Sequence, residues 1–497
     1  MADQWIICSS PVPRESANWG KRCAFVGLIR RWNPPDWRWL PVSAQAVLIC
    51  LCVIAGTLNS GAQDTEGSRV DQPKDAESVI SPTTTASVAE TATDAQHNVP
   101  EWIKFTGTYR GRAEGQIGRK FRRGDNDFFY LSRLRLGVEV KPAPALRFFF
   151  QAQDSHAPGM DISPRPSDSF DLRQAYADFH KGNDASGGVR VGRQELAFGS
   201  ERLVGSGDWG NTGRSFDAVR AYIDRNGMRI DAFAASVVRI RDHAFDNPRL
   251  NGNNFYGIYS RFNKLLPAST IEPFVFYRTL QNVKSEDGRN GHAGFFTFGG
   301  RVFGQVARNW DYEFEAAVQR GSFASDGIKA WAGHMTAGYT FKNTKFSPRY
   351  LAEYNFASGD ASSKDGTRQT FDQLFPTNHS KYGTADVVGW RNIHSLRVGS
   401  ELKLTPKANL NVDYLSHWLA RKTDALYSDS GVAIAQVRQG AKARHVGQEI
   451  NLIFQYKFSK RYTFGLGDAF FKAGRFLKQA TDGGGFSYPY AFVTYNF

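Results

Sequence analysis

Residues 310–319 read Trp310-Asp311-Tyr312-Glu313-Phe314-Glu315-Ala316-Ala317-Val318-Gln319. A strand sends successive side chains to opposite faces. One face of this stretch is then Trp, Tyr, Phe, Ala and Val, and the other is Asp, Glu, Glu, Ala and Gln. The same split recurs along the chain. Leu134, Leu136, Val138 and Val140 oppose Arg133, Arg135, Gly137 and Glu139. Leu396, Val398, Leu402 and Leu404 oppose Arg397, Gly399, Glu401 and Lys403. Val446, Ile450, Leu452, Phe454, Tyr456 and Phe458 oppose Gly447, Glu449, Asn451, Gln455 and Lys457. About eighteen such segments fit between Trp102 and Phe497, each the length of a tilted membrane strand of about ten residues.

The connections alternate too. Short ones fall at 141–144, 225–227, 342–345, 405–407 and 458–460. Long ones fall near 154–169, 197–215, 238–254, 279–294, 357–393, 418–445 and 471–487. Tight turns on one side and long loops on the other describe an antiparallel transmembrane β-barrel of the outer-membrane type. A large β-sandwich or β-helix also alternates, but predicts no short/long rhythm. The end Ala491-Phe492-Val493-Thr494-Tyr495-Asn496-Phe497 resembles the signal read by the outer-membrane barrel assembly machinery, with Phe497 as its last element. Trp102, Trp310, Trp331 and Trp418 suit an interfacial aromatic girdle, whereas Trp209 and Trp390 fall in long loops.

Composition agrees. The chain has 497 residues, 38 of them Phe and 48 Gly, and a net charge of +14. Aromatic and branched residues favour a pleated surface. A mean hydropathy of −0.44 is compatible with a barrel, because lipid meets only every second residue. After residue 62 no apolar run is long enough for a spanning helix. All four cysteines (Cys8, Cys23, Cys50 and Cys52) precede residue 53, so the remainder contains no thiolate metal site or disulfide scaffold.

Three regions follow. Residues 1–62 are expected to form a signal or targeting region, with an apolar core from Val42 to Leu58, basic residues before it and Ser60-Gly61-Ala62 after it. Their length before the core also fits a true start downstream of Met1. Residues 63–99, rich in Ser, Thr, Ala and Asp, are expected to be a flexible periplasmic linker. Residues 100–497 are the barrel. They hold 54 Lys and Arg against 38 Asp and Glu, so the positive excess sits in the part that spans the membrane.

No catalytic constellation appears. There is no Gly-x-Ser-x-Gly elbow and no His-Glu-x-x-His, and His394, His417 and His445 read as lone surface histidines. Residues 360–366 read as a solvated loop rather than a calcium cage. The chain is therefore expected not to be an enzyme, with no catalytic residues, no metal and no cofactor. Arginine carries the functional signal: Arg110, Arg112, Arg133, Arg135, Arg173, Arg193, Arg349 and Arg397 fall on polar faces, and Arg202, Arg214 and Arg391 lie in loops beside strand ends. A guanidinium is permanently charged and matches a carboxylate with two parallel donors. A wall of one sign concentrates counter-ions. Glu114, Glu139, Glu195, Asp217, Glu313, Glu315 and Glu353 are available to pair with several of these arginines, so the collective excess is the firmer indication.

One long stretch is specific: Gly192-Arg193-Gln194-Glu195-Leu196, Gly199-Ser200-Glu201-Arg202-Leu203, Trp209, Asn211, Arg214, then Phe216-Asp217-Ala218-Val219-Arg220. Ala357-Ser358-Gly359-Asp360, Thr370 to Pro376, His379, Tyr382-Gly383, Asp386 and Asn392 form a second, and Val446 to Leu452 a third. These resemble the signature of the alginate export family across nearly all of residues 100–497. The long leader and the 63–99 linker are not part of that family pattern. The resemblance implies an eighteen-stranded barrel with an arginine-lined pore for a polyuronate, gated by loop 357–393 and by periplasmic turns. It implies pore roles for Arg110, Arg133, Arg193, Arg202, Arg214, Arg220 and Arg397, with Arg193, Arg202 and Arg214 foremost.

The expected function is an outer-membrane porin or exporter that passes an anionic polysaccharide. The alternatives are an uptake porin for small organic anions and, from a different class, a rim-located hydrolase or adhesin. Expected partners are the anionic cargo, outer-membrane lipid, the barrel assembly machinery and a periplasmic export partner, with no nucleic acid.

Overall fold

The computed structural model describes residues 100–161, 166–181 and 186–497. The expected targeting region 1–62 and linker 63–99 lie outside these. Eighteen antiparallel strands form one closed barrel. In chain order they are β1 (Ile103–Ile117), β2 (Asn126–Ala143), β3 (Leu146–His156), β4 (Asp168–His180), β5 (Gly187–Gln194) and β6 (Phe216–Arg225). Then come β7 (Met228–Val238), β8 (Arg249–Leu266), β9 (Ser269–Lys284), β10 (Asn290–Ala307), β11 (Trp310–Phe323) and β12 (Asp326–Thr340). The last six are β13 (Arg349–Ala357), β14 (Ile393–Thr405), β15 (Ala408–Leu419), β16 (His445–Lys457), β17 (Tyr462–Ala473) and β18 (Tyr490–Asn496). Each pairs with its neighbour. The ring closes where β18 runs against β1, from Glu114 opposite Tyr490 to Thr108 opposite Asn496. Closure leaves no free edge, which hydrocarbon would not tolerate. The one α-helix among the described residues, α1 (Arg475–Ala480), lies in the last loop.

The wall is inverted relative to a water-soluble core. On β11, Trp310, Phe314 and Val318 are exposed, while Glu315, Ala317 and Gln319 are buried. On β2, Leu136 is exposed and Arg133 is buried. The apolar face therefore meets lipid and the charged face lines the lumen. Trp102 and Trp310 are exposed at the ends with short turns, and Trp331 is exposed toward the opposite rim. Short turns mark the periplasmic side.

Several boundaries differ from expectation. The loops expected at 238–254 and 279–294 are shorter, because β8 begins at Arg249, β9 continues to Lys284 and β10 begins at Asn290. These polar ends remain in the hydrogen-bonded ladder above the membrane, where lipid no longer demands apolar side chains. A two-residue turn, Ala324–Ser325, joins β11 to β12 on the long-loop side. Alternation sets Val446 on the apolar face of its strand, yet it is fully buried. A register shift between His417 and Trp418 opposite it breaks the period of two. The same region corrects the histidines: His417 is buried against Phe471 rather than on the surface, with a ring separation of 6.0 Å.

The long loops fold inward and carry their own aromatic core. Phe198 stacks on Tyr259 at 4.8 Å, and Phe375 meets Phe216 at 5.4 Å and Phe255 at 5.0 Å. Tyr382 and Trp390 are fully buried. Each such ring contributes about 1.5–3 kcal/mol by leaving water, so these loops are part of the fold.

Phe298 lies near the middle of β10 and faces outward. Phe298→Arg is expected to destabilise the barrel by about 2–4 kcal/mol in bilayers. Urea unfolding in lipid vesicles measures it. An unchanged midpoint would place this face away from lipid.

Candidate functional site

The site forms where residues 195–215 turn into the lumen. Val204 makes a parallel bridge with Phe375 of the loop at 358–392. The Gly205 amide donates to Phe375 O at 2.8 Å, and the Phe375 amide donates to Leu203 O at 2.8 Å. The Thr377 hydroxyl donates to Glu201 at 2.6 Å and accepts from the Gly207 amide at 2.9 Å. Arg214 donates to the carbonyls of Gly205, Phe375 and Pro376 at 3.0, 2.6 and 3.1 Å. One guanidinium thus ties the two loops together. Gly213 has φ +66° and the Arg173 guanidinium beside it, where a side chain would collide.

The tip of this loop, residues 208–212, rests on a bed of arginines from β1, β2 and β4. Arg110 donates to Asp208 O, Trp209 O and Gly210 O at 2.9, 2.9 and 3.1 Å. Arg112 donates to Trp209 O at 2.7 Å and lies over the Trp209 ring at 3.9 Å. Arg133 donates to Asp208 O at 2.8 Å. Arg135 reaches the Asp208 carboxylate at 2.6 Å, and Arg133 reaches it at 3.2 Å. Arg173 holds Glu195 at 2.8 Å, and Arg112 pairs with Glu114. Five guanidiniums therefore share three carboxylates. Arg133 Nε and Arg135 Nη2 are buried donors with no partner. The Asp208 side chain is 48 % exposed, so this charge faces open lumen. The wall and loop packed around it raise the Asp208 carboxyl although its own surface is half-exposed, but Arg133, Arg135 and Arg110 more than reverse this and hold it well below the usual range.

The other expected pore residues are dispersed. Arg202 is buried with Glu353 at 3.2 Å and His334 at 3.1 Å. Arg397 grips Asp413 with two donors at 3.0 Å and meets Glu353 at 3.3 Å. Arg220 pairs with Asp231 at 2.8 Å. These three face the lumen but are neutralised there. Arg193 does not line the lumen. It shares a face with Val189 and Val191, which are exposed to lipid, and its partner Asp217 shares a face with exposed Val219. Its guanidinium is held at the outer rim by Asp217 and the Asn247 carbonyl. Arg349 pairs with Asp311 and Glu401, and Arg391 donates to Gly431 O.

Two features of the site escaped sequence reading. Asp208 is one acid in a Gly-rich loop, and nothing local shows that Arg110, Arg133 and Arg135 converge on it. Trp209 stacks flat on His379 of the other loop, 3.7 Å apart. Burial, then Arg112, depress the His379 imidazole to about 3, so it stays neutral. His379 also hydrogen-bonds Asp386 at 2.8 Å. Residues 360–366 are only partly the solvated loop expected, since Asp360 is buried and accepts from the Gln369 amide at 3.1 Å. Among the described residues no group of three or more His, Cys, Asp or Glu is arranged to hold a metal ion.

A family model described as alginate export matches residues 101–487. Solved structures show the same fold at low identity. Pseudomonas aeruginosa OccD3 (OpdP) aligns with TM-score 0.54 and 12% identity over 80% of this chain and 91% of that one. P. aeruginosa OpdO gives 0.54 and 13% over 81% and 99%, and P. aeruginosa OccK8 (OprE) gives 0.53 and 13% over 80% and 98%. No curated protein matches the chain in sequence.

Loop docking should depend on pH. Burial, then Asp386, push the Asp429 carboxyl up to about 7, and burial, then Glu114, raise Asp386 well above its ordinary range. The Asp429 carbonyl holds Gln373 and Asn378 of the docked loop. The docked state binds more protons than the free loop, whose carboxylates titrate near 4. Docking is therefore strongest at about pH 4: it weakens as pH rises to 7, and below about pH 4 it weakens again because His379 is neutral when docked but protonated when free. Burial, then Arg202, lower Lys381 to about 8, and the cost of its charge eases only above that. Protease cleavage within 358–392 is expected to be slower at pH 5 than at pH 7.5, with a smaller difference in Asp429→Asn. Equal rates at both pH values would sink this reading.

Proposed function

The chain belongs to the alginate export family and is a porin-like barrel of the bacterial outer membrane, and from that premise we propose that it passes an anionic polysaccharide, an alginate-like polyuronate, through its lumen. The observation that carries this is Asp208 at the inward-folded loop tip, its carboxylate held by Arg133 and Arg135 and its backbone carbonyl by Arg110. Asp208 is an internal stand-in for a uronate carboxylate. The arginine bed holds more positive charge than its own acids neutralise, and its unpaired donors suit a second anion. Successive uronates exchange with Asp208 and pass along the bed. Arg220, Arg202 and Arg397, already paired, hold the wall and the loops in shape. Arg214 latches the two inward loops, whose undocking opens the path.

In this reading the protein is an anion-selective channel rather than an enzyme. Residues 1–62 direct it to export, residues 63–99 are a periplasmic linker leading into the barrel, Phe497 is read by the assembly machinery, and a periplasmic partner delivers the polymer.

Planar-bilayer conductance with oligouronate titration tests the proposal. Arg133→Gln is expected to raise the blocking concentration about tenfold, the scale of one charge-assisted hydrogen bond. Asp208→Ala should shift it the opposite way, because the internal competitor is gone. Cation selectivity, or block that neither variant moves, would overturn the export pathway. Equal block by monomeric acids would favour uptake of small anions instead.

A further inference from the structure

Outside the lumen, the periplasmic turns around β11 to β13 bring together a feature the transport reading does not use. Four rings run across the lipid-facing wall: Trp310 meets Tyr339 at 5.0 Å, Tyr339 meets Phe341 at 4.7 Å, and Phe341 meets Tyr350 at 5.9 Å, all edge to face. Trp310, Phe341 and Tyr350 are each more than two-fifths exposed. Just beyond them toward the periplasm stand Arg308, Lys342 and Lys345, all exposed. The turn at 341–348 is ordered by contacts within itself and to the two neighbouring hairpins. Lys342 Nζ donates to Arg308 O at 2.7 Å, Lys345 lies over the Phe346 ring at 5.0 Å, and the Lys403 amide donates to Phe346 O at 2.8 Å.

Among the described residues none of these three cations has a carboxylate within ion-pair distance. The nearby acids are taken: Arg349 holds both Asp311 and Glu401 in the lumen. Aromatic rings belong at the headgroup level of a membrane, and basic side chains next to them attract anionic lipid. A polymer in the lumen never reaches this outer face.

We propose that the periplasmic rim at β11–β13 is a binding site for an anionic glycerophospholipid of the inner leaflet. Its phosphate is held by Arg308, Lys342 and Lys345, and its glycerol and upper acyl region lie on the Trp310–Tyr350 ring row. The proposal is independent of the cargo and rests only on the barrel being in the outer membrane.

The full chain, purified into mixed micelles of phosphatidylglycerol and phosphatidylethanolamine, is examined by native mass spectrometry. Retained phosphatidylglycerol should exceed phosphatidylethanolamine by roughly tenfold. A triple substitution, Arg308→Ser, Lys342→Ser and Lys345→Ser, should remove that preference. A control, Lys457→Ser with Lys460→Ser on a distant turn, should leave it. Trp310→Ala keeps the charges and should lower retention of both lipids. No preference in the wild type, or one that survives the triple substitution, overturns the site. So does a preference lost equally in the control, which would show only general attraction to basic turns.

Discussion

Everything in this barrel follows from one requirement: in hydrocarbon, every backbone N–H and C=O must find its partner within the protein. An open sheet leaves two edges unpaired. The pairing of β18 with β1 removes both, and Phe497 exchanges backbone hydrogen bonds with Gly107 at the seam. Once the ring is closed, the inside and outside of each strand are decided by parity. Apolar side chains at alternate positions must face lipid, and the charged ones are left facing each other across a confined interior.

That interior explains why so many charges are buried and paired. Arg301 lies between Glu272 and Glu313 at 2.7 and 2.9 Å, and Arg349 between Asp311 and Glu401. Breaking such pairs costs far more than their net contribution to stability, since one partner would be left alone at low dielectric. Against this background the arginine bed at residues 208–212 is distinct. Its donors go mostly to backbone carbonyls, which compensate charge only partially, and the few carboxylates are shared. A barrel that needed only to fill its lumen would match each base with an acid, as Arg220 with Asp231 is matched.

The loops settle where that excess acts. Residues 195–215 carry Asp208 and Trp209 to the arginines, and residues 358–392 clamp them through the Val204–Phe375 bridge and the Trp209–His379 stack. Their aromatic core on Phe216, Phe233 and Phe255 gives the clamp its stability. The same segments that fold into the lumen therefore also present the half-exposed Asp208 carboxylate there.

By itself the sequence determined the fold class, the strand number and the side of the wall on which nearly every residue lies, because a period of two converts position directly into direction. It marked loops 197–215 and 357–393 as long, and Arg110, Arg133, Arg220 and Arg397 as lumenal. Parity fails at Val446, where a bulge intervenes, and the polar-face assignment of Arg193 breaks step with exposed Val189 and Val191, four and two residues before it. Tertiary structure alone decided which arginines act together. Arg110 and Arg133 face each other across the β1–β2 pair, but Asp208 comes from a loop 75 residues beyond Arg133, and Arg202 and Arg214 belong to that same loop, which has no periodicity. Their company is set by how that loop packs inside the closed ring, a property of the assembled barrel that local sequence does not encode.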